Sequence, residues 1–513
     1  MTRLPWWLVP LATLLLAFAG VALWRRWSRR ASFRALLRFR ARIDRFKFTG
    51  KRYISDALLA DEAISAAVAE HAALHGMPTV QAWRRVRRYI DEIVPAFNLL
   101  MYYQFGYALS KALLNLFYKT TVKVRSPDAF ARLPRESIVI YLMNHRSNAD
   151  YVLAGYGLAG QVAISYAVGE WARVFPLEYL FKSFGSYFIR RRYREPLYHT
   201  VLERYVQLIT RNGVTQGIFP EGGLSRDGKL RPAKIGLLDY MLGTAREPGF
   251  AERMYVVPVA LNYDRVLEDR TLLRELRATE GGARTPRWTQ FREVAGFALS
   301  SFGRLSTRRW KRYGRAAVVI GEPVPVAPWL AEVPLFELPR AERLAAVQKF
   351  CDGMMRRIGE IIPVTAVPLV CAALQTFDAE YVEERRLLAR IEELRDTLVA
   401  QGAEVVEPAR EAAETFERAY RMLRMRHVLL KQGNAYVILP RGRELISYYA
   451  NGIAHLCGEY ESQVRQRDAL PMDMLGGGYR NLDSVVGKGA SRADYAGIDE
   501  GCRTGAISSH FCP

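Results

Sequence analysis

The sequence predicts an α/β protein with helical regions on both sides of its sheet and a membrane helix at its N-terminus. Between residues 119 and 330, short β-rich runs alternate with helical stretches, the pattern of strands joined by crossover helices. From Leu4 to Trp24 no residue is charged, and about 20 residues rising about 1.5 Å each cross the roughly 30 Å hydrocarbon core of a bilayer. Residues 53–118 and 331–465 keep a helical pattern.

In chain order, the first element is the membrane helix at 1–24. Trp6, Trp7 and Trp24 fall at its two interfaces, and Pro5 and Pro10 lie in its first turns, where missing amides matter least. Arg25, Arg26, Arg29 and Arg30 follow directly and read as the cytoplasmic flank, which places the N-terminus outside and the rest of the chain inside. A cleaved secretory signal, processed near Ala17-Phe18-Ala19, is the competing reading, but the basic residues lie on the wrong side of the apolar run.

The segment 25–52 holds twelve Lys or Arg against the single acid Asp44, so it accounts for +11 of the chain's net +22. Phe33, Leu36, Leu37, Phe39, Ile43 and Phe46 lie among those cations. Such a segment suits the headgroup layer of an anionic membrane; a solvated linker helix is the plainer alternative. So local a basic excess marks a polyanion partner, and its position against an apolar helix favours anionic lipids over nucleic acid. No nucleic-acid partner is expected.

Within 119–330 the expected strands are Thr121–Val124, Ser137–Leu142, Thr215–Phe219, Tyr255–Leu261 and, as the last, Ala316–Ile320 with an exit turn at Gly321-Glu322-Pro323. One helix is well marked: Pro196 opens it, Leu197, Val201, Leu202, Tyr205, Leu208 and Ile209 form its apolar stripe, and Gly213 closes it. Pro325 and Pro328 mark a boundary, 331–465 forms a helical C-terminal domain, and the Gly-, Asp- and Ser-rich tail 466–513 is expected to be disordered. Cys351, Cys371, Cys457, Cys502 and Cys512 are scattered, which predicts neither structural disulfides nor a zinc site.

Four short blocks in the α/β region bear the chemistry. They are Asn144-His145-Arg146-Ser147-Asn148-Ala149-Asp150, Gly185-Ser186-Tyr187-Phe188-Ile189-Arg190-Arg191, Phe219-Pro220-Glu221-Gly222-Gly223-Leu224-Ser225-Arg226, and Val256-Val257-Pro258-Val259-Ala260. The first follows a strand, at the end of a sheet where open α/β folds place their ligands. Asp150 lies five residues after His145, near enough across a strand-to-helix turn to hold one imidazole nitrogen while the other accepts a proton.

In order and spacing the series resembles the membrane glycerol-3-phosphate acyltransferase family, whose blocks read His-x4-Asp, Gly-x-x-Phe-Ile-Arg-Arg, Glu-Gly-Gly-x-Ser-Arg and an apolar strand with a Pro. Tyr448-Tyr449-Ala450-Asn451-Gly452-Ile453-Ala454-His455-Leu456 resembles a further segment near the end of these enzymes, with Gly452 in place of a second Asn.

The resemblance implies an acyltransferase-type mixed sheet flanked by helices and transfer of a fatty acyl group to the sn-1 hydroxyl of glycerol 3-phosphate. The donor would be acyl-CoA or acyl carrier protein; no cofactor or metal is expected. His145 would be the base, oriented by Asp150. A phosphate monoester carries close to two negative charges, so paired guanidinium groups suit it, and the family's use of its block-two arginines implies that role for Arg190 and Arg191. Arg146, Glu221, Gly222, Gly223, Ser225, Arg226 and Lys234 complete the candidate substrate-binding set.

The family's usual Arg is Leu224 here, which leaves Ser225, Arg226 and Lys234 to supply contacts in that block. Glu221 either touches substrate or is a structural acid holding Arg226 or Arg190. The Val256–Val259 run reads more simply as a buried strand than as a catalytic element, and Pro258 suits an edge or a bulge. The expected location is the cell inner membrane with a cytoplasmic catalytic domain. Lysophosphatidate or dihydroxyacetone phosphate as acceptor, and a non-catalytic lipid-surface scaffold, are the alternatives.

Overall fold

In a computed structural model the described residues are 50–97, 107–158, 164–169, 173, 177–190, 193–280, 313–440 and 442–458. The expected membrane helix 1–24, the basic segment up to residue 49, the tail 466–513 and Arg191 lie outside them. Among the described residues no helix is long and apolar enough to cross a membrane.

The core is one mixed sheet. Its strands are β1 (Lys119–Val124), β2 (Ile138–Met143), β3 (Ser165–Gly169), β4 (Tyr187–Ile189), β5 (Gln216–Ile218), β6 (Met254–Tyr263), β7 (Arg315–Ile320) and β8 (Val324–Pro325). Their spatial order is β1-β7-β6-β2-β5-β3-β4, with β8 beside β6. Every pairing from β6 through β2, β5 and β3 to β4 is parallel, and β1 runs parallel to β7. Only β7 and β8 meet β6 in the antiparallel sense.

Parallel strands covered on both faces have no solvent side, so they read as continuous apolar runs. All six residues of β2, Ile-Val-Ile-Tyr-Leu-Met, are buried, each large aliphatic side chain contributing about 1.5–3 kcal/mol of transfer free energy.

The marked helix forms over Pro196–Arg211 with Pro at its start, and Gly213 beyond its end takes φ 70°, a left-handed value that glycine adopts without a Cβ penalty. Helices Glu62–Leu74 and Thr79–Ile93 pack on it, and Thr79–Ile93 also covers β4.

Three expectations need correction. Ala316–Ile320 is not the last strand of the sheet, because β8 follows and pairs with Tyr255 and Val256. Pro258 is not on an edge: β6 is an interior strand, and Pro258 sits where its outer neighbour changes from β8 to β7. There its missing N–H breaks no ladder with β7 or β8, and its carbonyl accepts the Gly321 amide at 2.8 Å. The C-terminal region is not helical throughout, since β9 (Tyr381–Glu383), β10 (Leu429–Gln432) and β11 (Ala435–Ile438) form an antiparallel sheet in the order β10-β11-β9.

The C-terminal region is built around helix Ala366–Gln375. Apolar on nearly every side, it is enclosed by helices Glu384–Ala400, Ala412–Met425 and Gly442–Ala450. Helix Arg340–Glu360 packs against β6 and so joins this region to the sheet.

Candidate acyl-transfer site

His145 follows β2 at the carboxyl end of the parallel strands, and helix Asp150–Leu158 begins five residues later. The turn between them is pinned from several sides. The Asn144 side chain donates to the Leu261 carbonyl at 2.9 Å and accepts the Leu261 amide at 2.7 Å, so it acts as an extra rung to β6. The His145 carbonyl accepts the Ser225 amide at 3.0 Å. The His145 amide donates to Glu221 Oε1 at 2.7 Å.

Asp150, fully buried, receives four hydrogen bonds. His145 Nδ1 lies 2.9 Å from Oδ2, the Arg146 and Ser147 amides donate to the same oxygen at 2.7 and 2.9 Å, and the Tyr263 hydroxyl donates to Oδ1 at 2.6 Å. An oxygen that already takes two amides can only accept from the ring, which puts the imidazole proton on Nδ1 and makes Nε2 the nitrogen that takes a proton. The ring stacks on Phe219, with centroids 4.2 Å apart and 22° between planes, and meets the edge of Tyr151 at 5.6 Å. Such a dry, fixed imidazole fits a general base.

Ser147 and Asn148 are fastened by a second, half-buried acid. Glu268 accepts the Ser147 hydroxyl at 2.7 Å and the Asn148 amide at 3.2 Å, and burial raises its pKa.

Glu221 is the brace of the third block. Besides the His145 amide it accepts the Arg231 amide at 3.1 Å. Burial pushes its carboxyl up to about 7, against the pull of Arg146 and those two amides. It holds neither Arg226 nor Arg190. Gly222 takes φ 65°, a left-handed value that favours glycine, and a Cβ there would press on the lysine stem at 2.8 Å from Lys234 Cδ. Gly223 is half-buried beside it. The Ser225 hydroxyl donates to the Lys229 carbonyl at 2.6 Å, and Arg226 pairs with Glu275 at 3.2 Å. The Arg231 guanidinium donates to the Leu224 carbonyl at 3.3 Å, so a cation stands beside the position where the family carries Arg.

Arg190 lies apart from this network. Its guanidinium donates to both oxygens of Glu92, at 2.9 and 2.7 Å, and Arg173 pairs with the same carboxylate at 2.8 Å. Burial raises the pKa of Glu92, but the hydrogen bonds and charges of the two arginines prevail and hold it low. The rings of Tyr193, Tyr89 and Tyr198 surround the guanidinium, the nearest centroid at 4.7 Å. Arg85, Arg88, Tyr89, Arg190 and Tyr193 line a cavity of about 300 Å³. Glu92 thus divides one negative charge between two arginines, and the cluster keeps a net positive charge.

The C-terminal segment reaches into the first and third blocks. Arg146 is buried and donates through Nη2 to the Gly452 carbonyl at 3.1 Å. Asn451 donates to the Asp227 carbonyl at 2.8 Å. Gly228 takes φ 85°, and a Cβ on it would fall 1.9 Å from the Tyr448 carbonyl oxygen. The Tyr449 hydroxyl donates to Asp269 at 2.8 Å and accepts the Val266 amide at 3.1 Å.

The structure therefore joins His145, Arg146, Asp150, Glu221 and Ser225 in one network, and leaves Arg190 with Glu92 and Arg226 with Glu275. Glu92, Arg231, Tyr263 and Glu268 are the residues that sequence reasoning missed. Each is remote in sequence from, or outside, the motif that it serves; the acidic Glu268-Asp269 pair just after β6 was the one local signal. Among the described residues no group of three or more His, Cys, Asp or Glu is placed to hold a metal.

Fold and dyad together define a His-x4-Asp acyltransferase domain: the acyltransferase family model matches residues 122–262, which span β2, the dyad and most of β6. The model described as the glycerol-3-phosphate acyltransferase C-terminal region matches 299–458. In these two regions the chain is similar to acyltransferases and, over its C-terminal part, to glycerol-3-phosphate acyltransferases.

A glycerol-3-phosphate acyltransferase of Aeromonas hydrophila is 28% identical over 423 residues, covering 80% of this chain and 50% of the relative. One of Actinobacillus succinogenes is 28% identical over 372 residues, covering 69% and 44%. The chain thus spans about half the length of the curated relatives it matches. A solved 1-acyl-sn-glycerophosphate acyltransferase from Thermotoga maritima is similar at 18% identity and a TM-score of 0.27, over 46% of this chain and 76% of that one.

Proposed function

We propose that the protein is a glycerol-3-phosphate 1-O-acyltransferase, forming lysophosphatidate for phospholipid synthesis from acyl-CoA or acyl carrier protein. The observation that supports it most is the buried carboxylate holding Nδ1 of His145 at 2.9 Å, in a chain that matches an acyltransferase model over 122–262 and the glycerol-3-phosphate acyltransferase C-terminal region over 299–458. Nε2 of His145 takes the proton of the sn-1 hydroxyl as that oxygen attacks the thioester carbonyl. The tetrahedral intermediate then expels the thiolate, the carbon–sulfur bond breaks, and the imidazolium returns its proton to sulfur. No acyl-enzyme is needed. Arg190 with Arg191, and Arg146, Ser225, Arg226 and Lys234, are the groups we assign to the substrates. Residues 1–24 anchor the chain in the inner membrane, residues 25–52 lie on its anionic lipids, and the catalytic domain faces the cytoplasm.

The test is to incubate membranes containing the protein with labelled palmitoyl-CoA and, separately, glycerol 3-phosphate, lysophosphatidate or dihydroxyacetone phosphate, and to separate the labelled lipids. Labelled lysophosphatidate from glycerol 3-phosphate is expected. Phosphatidate from lysophosphatidate alone would transfer the assignment to the second acylation, a reading that Leu224 favours because it replaces a cation with an apolar side chain. No product from any acceptor would leave a non-catalytic scaffold.

A further inference from the structure

We propose that Tyr263 is a positioning residue of the acyl transfer: its hydroxyl fixes Asp150, and through Asp150 the His145 imidazole, in the geometry and charge state the base requires. The inference rests on the acyl-transfer reading above. Tyr263 is the last residue of β6 and is fully buried, as is Asp150. The 2.6 Å bond from its hydroxyl is the shortest that Asp150 receives, and it falls on Oδ1, the oxygen that neither His145 nor an amide uses.

Two consequences follow from that division of labour. The carboxylate cannot rotate about its Cβ–Cγ bond without breaking a bond at each oxygen, so the direction of Oδ2 toward Nδ1 is set. The phenol also shares the negative charge, which limits how strongly Asp150 holds a protonated imidazole. The other titratable or charged groups around this carboxylate are Glu221, Glu268, Tyr448 and Arg146, with Tyr118 against the Tyr263 ring. The bond joins the third strand of the site to its dyad across 113 residues of sequence.

The measurement compares Tyr263→Phe with Tyr118→Phe. Tyr118 is also fully buried and lies tilted against Tyr263, ring centroids 5.5 Å apart, but its hydroxyl donates to the Arg265 carbonyl instead. In membranes, Tyr263→Phe is expected to lower kcat about tenfold, to leave both KM values within about twofold, and to move the acid limb of the kcat profile to higher pH by about half a unit or more. The direction follows because an unshared carboxylate holds the imidazolium more tightly. Tyr118→Phe is expected to lower the unfolding temperature by a similar amount while leaving kcat and the limb in place.

Titration of the ¹⁵N-labelled His145 ring in purified protein reads the same shift without turnover. If the wild type transfers acyl groups to no acceptor, the acyl-transfer reading fails, and the ring titration still decides whether Tyr263 governs His145. A folded Tyr263→Phe protein whose ring titration is unmoved, or whose kcat and acid limb match the wild type, overturns the proposal.

Discussion

At the end of β2, Asp150 receives two backbone amides, a phenol and the imidazole; near the end of β4, Glu92 receives two guanidinium groups. Both acids are buried. The first is surrounded by donors that bring no charge of their own, so its negative charge remains to act on His145. The second is outnumbered by cations, so it leaves an excess of positive charge beside an open, ring-lined cavity. A fixed neutral cradle suits proton transfer, whereas a surplus of guanidinium suits anion recognition. The difference teaches that charge balance, more than burial, separates the two kinds of site.

The largest expected effect tests the first region. Replacing His145 with Ala should lower kcat by at least about 10²-fold with little change in acceptor KM, because a base contributes in the transition state. Turnover measured at saturating substrates, beside a thermal melt, checks it; equal turnover in a folded variant would remove His145 from the mechanism.

A smaller effect comes from the brace of the same loop. Glu221 has a folded-state pKa of about 7 against an ordinary value of 4.5, so the proton it binds on folding adds stability that is fully present below about pH 4.5. That increment is lost as pH rises through about 7, by up to about 3 kcal/mol. Glu221→Gln, which resembles the protonated side chain, should therefore gain stability relative to the wild type between about pH 5 and 8. Denaturant midpoints at several pH values report this, and a difference independent of pH contradicts it.

The smallest effect tests the second region and the contrast itself. Arg190→Ala should raise the KM for glycerol 3-phosphate about tenfold or more through loss of a charge-assisted contact. It should also lower the unfolding temperature, since Glu92 would keep only Arg173. His145→Ala shows the opposite division, with turnover lost and acceptor KM kept. Were Arg190→Ala to alter kcat alone, the separation of the two regions would be wrong.

The sequence displays the parts that local spacing determines. His145 and Asp150 lie within one turn, and β2 and β6 announce themselves as apolar runs. Helix Pro196–Arg211 is marked at both ends. What stays hidden is long-range: Glu92 reaches Arg190 across 98 residues, and Arg146 reaches Gly452 across 306. The second sheet is hidden for a different reason. β10 reads Leu-Leu-Lys-Gln, residues that favour helix in isolation, and tertiary pairing with β11 overrides that preference.

The contact between Gly228 and the Tyr448 carbonyl sets an order of assembly. The third-block loop is shaped around a backbone that lies more than two hundred positions downstream, as is the Asn451 that holds Asp227 across 224 residues. At about 5–20 residues per second of synthesis, the ribosome delivers the catalytic loop well before the segment that clamps it. The newborn chain therefore holds its base and its acid for about ten seconds or longer without their cover, and the site closes only as the C-terminal region arrives.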